Sequence, residues 1–374
     1  MAGRVVVFGA TGYTGRLAVA ALAGRGARPL LAGRDPERLE RLAAAHGGLD
    51  TAVASATEPG SDRGLRDLLG PGDVLLTTVG PYTRYGYGPL EAAVGAGAHY
   101  VDATGEAAFL RHVFGEAGPA AERAGVALLP AFGFDFVPGN LAGALAATQA
   151  GEAATRLDIG YFLTGGTRAS SGTQATGALM LGQRSHALAG GRLRLLPLAR
   201  RSRTFTDADS GGRRWQGVLF GGSEPLALPR TAPWLSDVTV YLGALGRRSR
   251  AATLASPLLP LLGLLRRLPP VRQRADRLLA TTGKGPDDAA RARAGTQVIA
   301  VAADAGGRPL ATVSLTGRDA YGYTGAMLAD AALRLAEGRV SAAGALGPVD
   351  AYGLDALEAA CAKAGIARQT GRGS

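Results

Sequence analysis

The sequence Gly9-Ala10-Thr11-Gly12-Tyr13-Thr14-Gly15 decides the fold of this chain. An apolar run, Arg4–Phe8, precedes it, and a helical pattern, Arg16–Leu22, follows it. A β-branched strand that enters a glycine turn and then a helix is typical of the first βα unit of a dinucleotide-binding domain. We therefore predict a strand, a tight turn and a helix here, with a nucleotide bound at the turn.

The three glycines of this turn have separate roles. Gly9 lets the chain turn sharply, Gly12 leaves space for a pyrophosphate, and Gly15 lets the helix lie close to the sheet. Because the chain has 57 glycines, the spacing alone is weak evidence, and a turn without a ligand is the alternative. The flanking strand and helix favour phosphate binding by backbone N–H groups at the helix N-terminus. The predicted cofactor-binding residues of the turn are Gly9, Thr11, Gly12, Tyr13, Thr14 and Gly15.

The composition indicates a folded protein of more than one domain. A chain of 374 residues with 47% hydrophobic and 19% charged residues is long enough for two cores. Its single cysteine, Cys361, excludes an internal disulfide and a cysteine zinc site, and it is typical of a reducing compartment. The histidines are scattered, so we predict no metal, and no signal-peptide core precedes Gly9, so we expect a cytoplasmic protein.

The formal charge of +11 reflects an excess of arginine. Of the 41 basic residues only Lys284 and Lys363 are lysines, and abundant Arg, Ala and Gly are typical of a GC-rich coding sequence. No motif interleaves aromatic and basic residues for base stacking. We therefore expect no nucleic-acid partner.

Strand and helix patterns alternate through the first third of the chain and then change. Near-continuous apolar strands between amphipathic helices predict an α/β fold, so residues 1–148 are predicted to form a Rossmann-type domain with a doubly wound parallel sheet. Longer strands and a helix around Gly177–Ala189 predict a mixed α+β substrate domain over residues 149–322. Residues 323–374 are predicted to be C-terminal helices that pack back on the Rossmann domain.

One apolar segment, Arg247–Arg277, has arginines at both ends. Prolines break it into pieces too short to span a bilayer, so we expect no stable membrane insertion. Two interpretations stay open, namely a buried helix pair with solvated ends and an exposed apolar lid over a hydrophobic substrate.

The residues after the second strand indicate which nucleotide is bound. NAD-binding domains place a carboxylate there for the ribose hydroxyls, whereas this chain has Ala32-Gly33-Arg34-Asp35. A guanidinium pairs with a 2′-phosphate, so Arg34 favours NADP(H) as the cofactor. Asp35, which precedes Pro36, is predicted to cap the second helix.

The ends of the later strands supply candidates for the chemistry, because ligands of doubly wound sheets lie beyond the carboxyl ends of the strands. Gly80 and Pro81 follow the fourth strand and are predicted to border the nicotinamide. Tyr82, Asp102 and Asp135 are the candidate catalytic residues. Loop packing is the alternative for Tyr82, and a helix cap is the alternative for Asp135.

Two absences exclude other classes of enzyme. No tyrosine precedes a lysine by four residues, so the Tyr-x-x-x-Lys pair of short-chain dehydrogenases is missing. No G-x-S-x-G sequence occurs, which argues against an α/β-hydrolase.

Four motifs along the chain point to one family. They are Gly9–Gly15, Gly80-Pro81-Tyr82 with Tyr85-Gly86, Tyr100-Val101-Asp102 with Gly105-Glu106, and Gly133-Phe134-Asp135 with Pro138. Together they resemble the saccharopine dehydrogenase-like oxidoreductases, which include the trans-acting enoyl reductases of polyketide and lipid pathways. The resemblance implies NADP(H)-dependent hydride transfer and does not choose between reduction of C=C, C=N and C=O.

We therefore expect an NADPH-dependent oxidoreductase that reduces an activated, enoyl-type double bond in a hydrophobic acyl or polyketide substrate. The substrate is either free or bound to an acidic acyl carrier protein. One alternative is a saccharopine-type imine reductase, for which Arg84 and Arg168 are the available carboxylate-binding residues. Another alternative is a non-catalytic NADP(H)-sensing protein. The sequence leaves the hydride face and assembly as a homodimer open.

Overall fold

The computed structural model describes residues 3–56, 61–164, 183–207, 212–243 and 285–369, together with residues 253 and 256. Apart from residues 253 and 256, the segment Arg247–Arg277 lies outside the described residues, so both interpretations of it stay predictions.

The chain divides into two compact units, which differ in strand direction. The first comprises Met1–Gly105, Phe109–Val137 and Tyr321–Gly353, and the second comprises Glu106–Ala108, Pro138–Ala320 and Leu354–Ser374. The sequence-based boundaries after residues 148 and 322 stay predictions beside this division.

The described residues form sixteen strands. They are β1 (Val5–Phe8), β2 (Leu30–Gly33), β3 (Thr51–Val53), β4 (Val74–Thr77), β5 (His99–Asp102), β6 (Ala127–Leu129), β7 (Arg156–Thr164), β8 (Arg184–Ala189), β9 (Arg192–Pro197), β10 (Ser202–Asp207), β11 (Arg213–Phe220), β12 (Asp237–Leu242), β13 (Gly295–Ala303), β14 (Pro309–Arg318), β15 (Gly344–Ala345) and β16 (Ile366–Arg368).

The described residues also form α-helices, together with a π-helical segment (Val113–Ala117) and a 3-10 turn (Gly151–Ala153). The α-helices connect the strands. They are α1 (Tyr13–Ala23), α2 (Pro36–Ala45), α3 (Ser61–Arg66), α4 (Tyr82–Tyr85), α5 (Tyr87–Ala96), α6 (Ala107–His112), α7 (Gly118–Ala124), α8 (Val137–Ala150), α9 (Glu224–Thr231), α10 (Asp288–Arg293), α11 (Ala320–Ala336), α12 (Pro348–Tyr352) and α13 (Leu354–Ala364). Within the described ranges, no helix is both long and apolar enough to cross a bilayer.

The first unit is built on a seven-stranded sheet in the order β15-β6-β5-β4-β1-β2-β3. All of its paired strands are parallel. Strands β1, β2 and β4 are buried along their whole length, as expected when helices cover both faces of a sheet. Because β3-β2-β1-β4-β5-β6 is the strand order of dinucleotide-binding domains, the predicted Rossmann-type fold is confirmed.

Residues from the C-terminal part of the chain complete this unit. Helix α11 approaches α1 so closely that a Cβ on Gly325 would lie 2.8 Å from the Cβ of Leu17. Arg25, just after α1, forms an ion pair of 2.9 Å with Asp330 of α11. Strand β15 then pairs with β6 at one edge of the sheet.

The second unit contains a nine-stranded mixed sheet in the described residues. Its main order is β10-β11-β12-β7-β13-β14-β16, and β8 and β9 extend from β12. Strands β7 and β12 are parallel, whereas β13 is antiparallel to both β7 and β14. Helices α8 and α9 pack together on this sheet, where a Cβ on Gly143 would lie 2.7 Å from Leu228 and 3.0 Å from Leu157. The predicted second, mixed α+β domain is therefore confirmed.

The predicted helix around Gly177–Ala189 is wrong where the structure describes it. Residues 184–189 form β8, which pairs antiparallel with β9. Gly190 and Gly191, with φ of 58° and 70°, turn the chain between the two strands. The side chains of Ala187 and Leu188 are buried, and burial within a paired sheet outweighs a weak helical pattern.

Gly15 is the most tightly packed residue of the glycine turn. A Cβ at this position would lie 2.2 Å from the carbonyl oxygen of Gly9 and 2.9 Å from that of Ala10. Gly9 itself has a φ of 83°, a conformation that residues with a side chain rarely adopt. Helix α1 therefore begins in direct backbone contact with the end of β1.

We expect Gly15→Ala to lower the free energy of unfolding by about 1–3 kcal/mol, because the new methyl group overpacks the turn and displaces α1. Gly64→Ala is the matched control, since it lies in α3 and a Cβ there would meet no atom within 4 Å. The control should be neutral or stabilise by up to about 1 kcal/mol. Denaturant titration of both variants measures the difference, and equal stabilities would contradict the packing role of Gly15.

Candidate functional site

The amino end of α1 is arranged to bind an anion. Gly12 is the N-cap residue of this helix and provides no side chain that caps it. The first intrahelical hydrogen bond runs from the Arg16 N–H to the Gly12 carbonyl at 3.0 Å, so the N–H groups of Thr14 and Gly15 have no intrahelical acceptor. Gly12 is exposed, and a Cβ there would meet only the carbonyl oxygen of Gly9, at 3.1 Å. Bare backbone and the helix dipole therefore suit a pyrophosphate.

Arginines gather beside this turn at the end of β2. Arg34 is exposed directly after the strand. The guanidinium groups of Arg16 and Arg38 both donate hydrogen bonds to the carbonyl oxygen of Thr11, at 2.8 and 3.3 Å. The positive charge lies where the 2′-phosphate of NADP(H) would extend from the ribose next to the turn.

The local structure of α2 explains this placement. The Asp35 carboxylate accepts a hydrogen bond of 3.0 Å from the Arg38 N–H, and Pro36 opens the helix. The predicted capping role of Asp35 is therefore confirmed. Sequence reasoning missed Arg38, although its position four residues after Arg34 in a capped helix was the available signal.

The loop after β4 lies against the glycine turn. The Thr78 hydroxyl donates a hydrogen bond of 3.1 Å to the carbonyl oxygen of Gly9, and a Cβ on Gly9 would lie 2.7 Å from Val79. Gly80 is exposed and Pro81 is half-buried immediately beyond these contacts. The predicted cofactor-binding residues of both loops therefore lie at the same edge of the sheet.

The strand order determines the sequence in which the candidate residues lie along the carboxyl edge of the sheet. Arg34 follows β2, Gly9 follows β1, Gly80 follows β4, Asp102 ends β5 and Asp135 follows β6. Neighbouring strands are about 4.8 Å apart, so the four gaps from β2 to β6 span roughly 19 Å. This length suits an extended dinucleotide whose phosphates lie at the glycine turn and whose nicotinamide lies toward β5 and β6.

Tyr82, a candidate catalytic residue, is buried with only 5% of its surface exposed. Its hydroxyl donates a hydrogen bond of 3.1 Å to the Thr77 carbonyl and accepts one of 3.4 Å from the Ala103 N–H. Its ring packs on Phe109 with the centroids 5.6 Å apart. These contacts hold the ends of β4 and β5 together and favour a positioning role, and the catalytic assignment of Tyr82 stays a prediction.

Asp102 is fully buried and joins β5 to the loop after β6. One carboxylate oxygen accepts hydrogen bonds from the N–H groups of Thr104 and Ala131, both at 2.8 Å, and the other accepts one from the Tyr100 hydroxyl at 2.7 Å. Burial, reinforced by the Asp102 charge, raises the pKa of Tyr100 well above its usual value, so the phenol stays protonated as a donor. The catalytic assignment of Asp102 stays a prediction, and its contacts favour positioning of the Asp135 loop.

Asp135 has a different environment from the other two candidates. Its neighbours Phe134 and Phe136 are 7% and 1% exposed, and the Phe136 N–H donates to the Ala131 carbonyl at 2.9 Å. The Asp135 side chain itself reaches solvent. Surrounding protein nevertheless desolvates its carboxyl group and raises the pKa of Asp135 to about 6. An exposed acid of this pKa is suited to proton transfer near neutral pH.

Helix α11 supports both ends of this site, which the sequence did not predict. The Thr324 hydroxyl accepts a hydrogen bond of 3.0 Å from the Phe134 N–H, and a Cβ on Gly133 would lie 2.6 Å from Thr324. Tyr321 packs edge-on against Tyr13, the first residue of α1, with the centroids 4.9 Å apart. The sequence predicts C-terminal helices against the Rossmann domain, but no pattern in it identifies Thr324 and Tyr321 as contacts of this site.

Two further sequence predictions concern metals and carboxylate binding. Among the residues that the structure describes, no three His, Cys, Asp or Glu side chains are grouped to hold a metal ion. Arg84 is exposed, with its guanidinium 4.9 Å from the ring centroid of Tyr85. Arg168 lies outside the described residues, so a paired arginine site stays a prediction.

Comparison with known families agrees with the geometry of the first unit. Residues 5–129 match the model of the saccharopine dehydrogenase NADP binding domain. This match confirms the predicted family resemblance for this part of the chain and NADP(H) as its cofactor.

Curated relatives match the same part of the chain. The trans-acting enoyl reductase of Mycobacterium ulcerans (strain Agy99) is 39% identical over 143 residues, which are 37% of this chain and 34% of the relative. That of Mycobacterium tuberculosis (strain H37Rv) is 38% identical over the same length and the same shares. The chain therefore spans about a third of the length of the curated relatives it matches.

Solved structures resemble nearly the whole chain in fold. Saccharopine dehydrogenase (L-Glu forming) from Saccharomyces cerevisiae covers 98% of this chain and 99% of its own, with a TM-score of 0.60 and 13% identity. Homospermidine synthase from Legionella pneumophila covers 96% of this chain and 89% of its own, with a TM-score of 0.59 and 11% identity. At these identities the likeness shows the fold alone.

We expect Gly12→Val to abolish NADPH binding, because the side chain would occupy the space of the pyrophosphate. Its extended backbone, with φ of −69° and ψ of 169°, suits any residue, so the variant should stay folded. Fluorescence titration measures the binding, and thermal unfolding checks the fold. Normal NADPH affinity in the variant would place the phosphate site elsewhere.

We expect NADPH to bind at least about tenfold more tightly than NADH, and Arg34→Ala or Arg38→Ala to remove most of that preference. The reason is the loss of a charge-assisted hydrogen bond to the 2′-phosphate. Arg41→Ala is the matched control, because Arg41 lies on the same helix and pairs at the surface with Glu37 at 3.6 Å. Equal affinities for the two nucleotides in the unmodified protein would overturn the assignment.

Proposed function

We propose that this chain, whose first unit carries a saccharopine dehydrogenase-type NADP-binding domain, is an NADPH-dependent reductase of an activated, enoyl-type double bond. The observation that carries the proposal is the 39% identity of this domain to relatives named trans-acting enoyl reductase. The substrate class is a hydrophobic acyl or polyketide thioester. Because the names of the relatives include the word trans-acting, we extend the proposal to a substrate held on a separate acyl carrier protein.

Different residues of the first unit have different roles in such a reaction. The amino end of α1 binds the pyrophosphate, and Arg34 and Arg38 bind the 2′-phosphate. Bound NADPH supplies a hydride to the β-carbon of the enoyl thioester. Reduction then requires one proton at the α-carbon, so that the double bond gains both hydrogens and the thioester stays intact.

Asp135 is the residue that we assign to proton delivery. Its carboxyl group reaches solvent on an anchored loop at the edge of the sheet where the nicotinamide would lie. With a pKa of about 6 it is partly protonated near neutral pH, and it can take up a new proton from solvent after each turnover. Asp102 and Tyr82 position this loop and the one after β4.

We expect Asp135→Asn to lower kcat for reduction of a short enoyl-pantetheine thioester by about 10²–10⁴-fold, the usual contribution of a positioned acid. NADPH affinity should not change, because Asp135 does not touch the phosphate sites. Asp67→Asn, which removes an exposed carboxylate from the same unit, should retain full activity. The rate of NADPH consumption measures the activity of the unmodified protein and of both variants. Full activity of Asp135→Asn would exclude Asp135 as the proton donor.

The pH dependence tests the same assignment. Only the protonated form of Asp135 donates, so kcat should be highest below pH 6 and fall as the pH rises through about 6. The Asp135→Asn variant should lack this fall. A falling limb that persists in the variant would belong to another group.

The alternatives are outcomes of a substrate panel. Consumption of NADPH with an amine and a 2-oxo acid, but not with an enoyl thioester, would establish an imine reductase. Nucleotide binding without turnover of any panel member would support a sensing protein. Equal kcat/KM for carrier-bound and free thioesters would contradict carrier recognition and leave the enoyl reaction standing.

A further inference from the structure

A recess of about 640 Å³ opens in the second unit, at one end of its sheet. It contains none of the residues assigned above to the nucleotide or to proton transfer. Its charged and phenolic lining residues are Arg156, Asp158, Arg201, Arg203, Asp237 and Tyr241.

Strand direction explains why these residues meet. Strands β7 and β12 are parallel, and β10 and β12 are each antiparallel to β11, so β7, β10 and β12 all begin at the same end of the sheet. The register pairs Arg156 with Asp237 and Asp158 with Thr239. Since alternate residues of a strand share a face, the charged residues at the strand starts lie together.

The sheet also curls over this face. The Asp207 carboxylate at the end of β10 accepts hydrogen bonds from Gln297 on β13, at 3.1 Å, and from Ser314 on β14, at 3.3 Å. Strand β10 lies at the opposite side of the sheet order from these strands. Phe162 and Phe205 pack inside the curl, with their centroids 5.7 Å apart, and they form an apolar floor below the recess.

The arginines of the recess are unequally paired. Arg203 forms an ion pair with Asp158, whose exposed fraction is 6%. Within the described ranges, Arg156 and Arg201 have no acidic partner. The Asp237 carboxylate accepts a hydrogen bond of 2.7 Å from the Ser236 hydroxyl. The guanidinium groups of Arg156 and Arg201 are therefore available to bind an anion next to the Arg203–Asp158 ion pair.

The side chain of Tyr241 lies near all three arginines of the recess. Burial raises the pKa of its phenol, whereas the nearby Arg203, Arg201 and Arg156 lower it, as does a side-chain hydrogen bond with Thr239. Arg203 is similarly affected, because burial and the like charge of Arg156 lower its pKa. Arg156 and Arg203 thus lie close enough to repel each other, and an anion in the recess would relieve that repulsion.

We propose that this recess binds a doubly charged oxyanion, a phosphate or a dicarboxylate group of a small molecule, through Arg156, Arg201 and the Tyr241 hydroxyl. Guanidinium forks match both groups in bidentate geometry. The volume is larger than a lone phosphate needs, and its polar walls favour a polar ligand. A surface that is basic only through composition is the alternative, but the buried Asp158 carboxylate, which pairs with Arg203, and the buried Tyr241 phenol are not features of a solvated face.

The test uses the full-length chain saturated with NADP⁺, so that the nucleotide site does not contribute. Calorimetric titrations with sodium pyrophosphate and with sodium malonate distinguish the two sources of the oxyanion. We expect binding of at least one probe, and a loss of affinity of about tenfold or more in the double variant Arg156→Gln/Arg201→Gln. The control is Arg192→Gln/Arg194→Gln, which removes the same charge from exposed positions of β9 and should bind normally.

A second variant should change the affinity for the probe in the opposite direction, and it leaves the arginines in place. Asp237→Asn takes a negative charge from the recess and should tighten binding by a factor of about three or more. Absence of binding by both probes, or an equal loss in the β9 control, would overturn the proposal. Since no titration involves hydride transfer, these outcomes are independent of the proposed reductase activity.

Discussion

The contact between Gly15 and the Gly9 carbonyl is the constraint on which the nucleotide site depends. It brings the first turn of α1 directly onto the end of β1, where a Cβ would lie 2.2 Å from that oxygen. The N-terminal N–H groups of α1 are then held at the edge of the sheet, and their dipole points at the space next to Gly12. The loop after β4 is fixed to the same carbonyl by Thr78. One backbone oxygen thus sets the distance between the two loops that are predicted to bind the cofactor.

Asp102 and Asp135, at the same edge of the sheet, have different surroundings and therefore suit different roles. Asp102 ends β5 and Asp135 follows β6, and the sequence offers both as candidate catalytic residues, with a helix cap as the alternative for Asp135. Asp102 is buried and accepts hydrogen bonds from Tyr100, Thr104 and Ala131, which fix its orientation. Those bonds include one to the Ala131 N–H, so they hold the loop on which Asp135 reaches solvent. A buried carboxylate thereby serves as the support of an accessible one.

Features that rest on local sequence patterns could be predicted, whereas features that rest on contacts between distant residues could not. The parallel sheet and the cap at Asp35 rest on local patterns, such as apolar strands and an aspartate before a proline, and these were predictable. The contact of Thr324 with Phe134 joins residues 190 positions apart, so no local pattern identifies it. Arg38 was missed although its spacing from Arg34 was visible, because its contact with Thr11 forms only in the folded chain. Strand β8 was predicted as helix because its burial comes from pairing with β9 and β12, which only the folded sheet supplies.

The chemistry of the recess bears on where an acyl substrate can bind. Its walls carry Arg156 and Arg201 without acidic partners in the described residues, together with the Asp237 carboxylate. Placing a hydrocarbon chain against these groups would strip their water without replacing its hydrogen bonds, which is unfavourable. An apolar chain therefore needs a different surface from the one that suits an oxyanion. If the chain is an enoyl reductase, its acyl chain would therefore lie away from the walls of this recess, which suit the oxyanion that we propose.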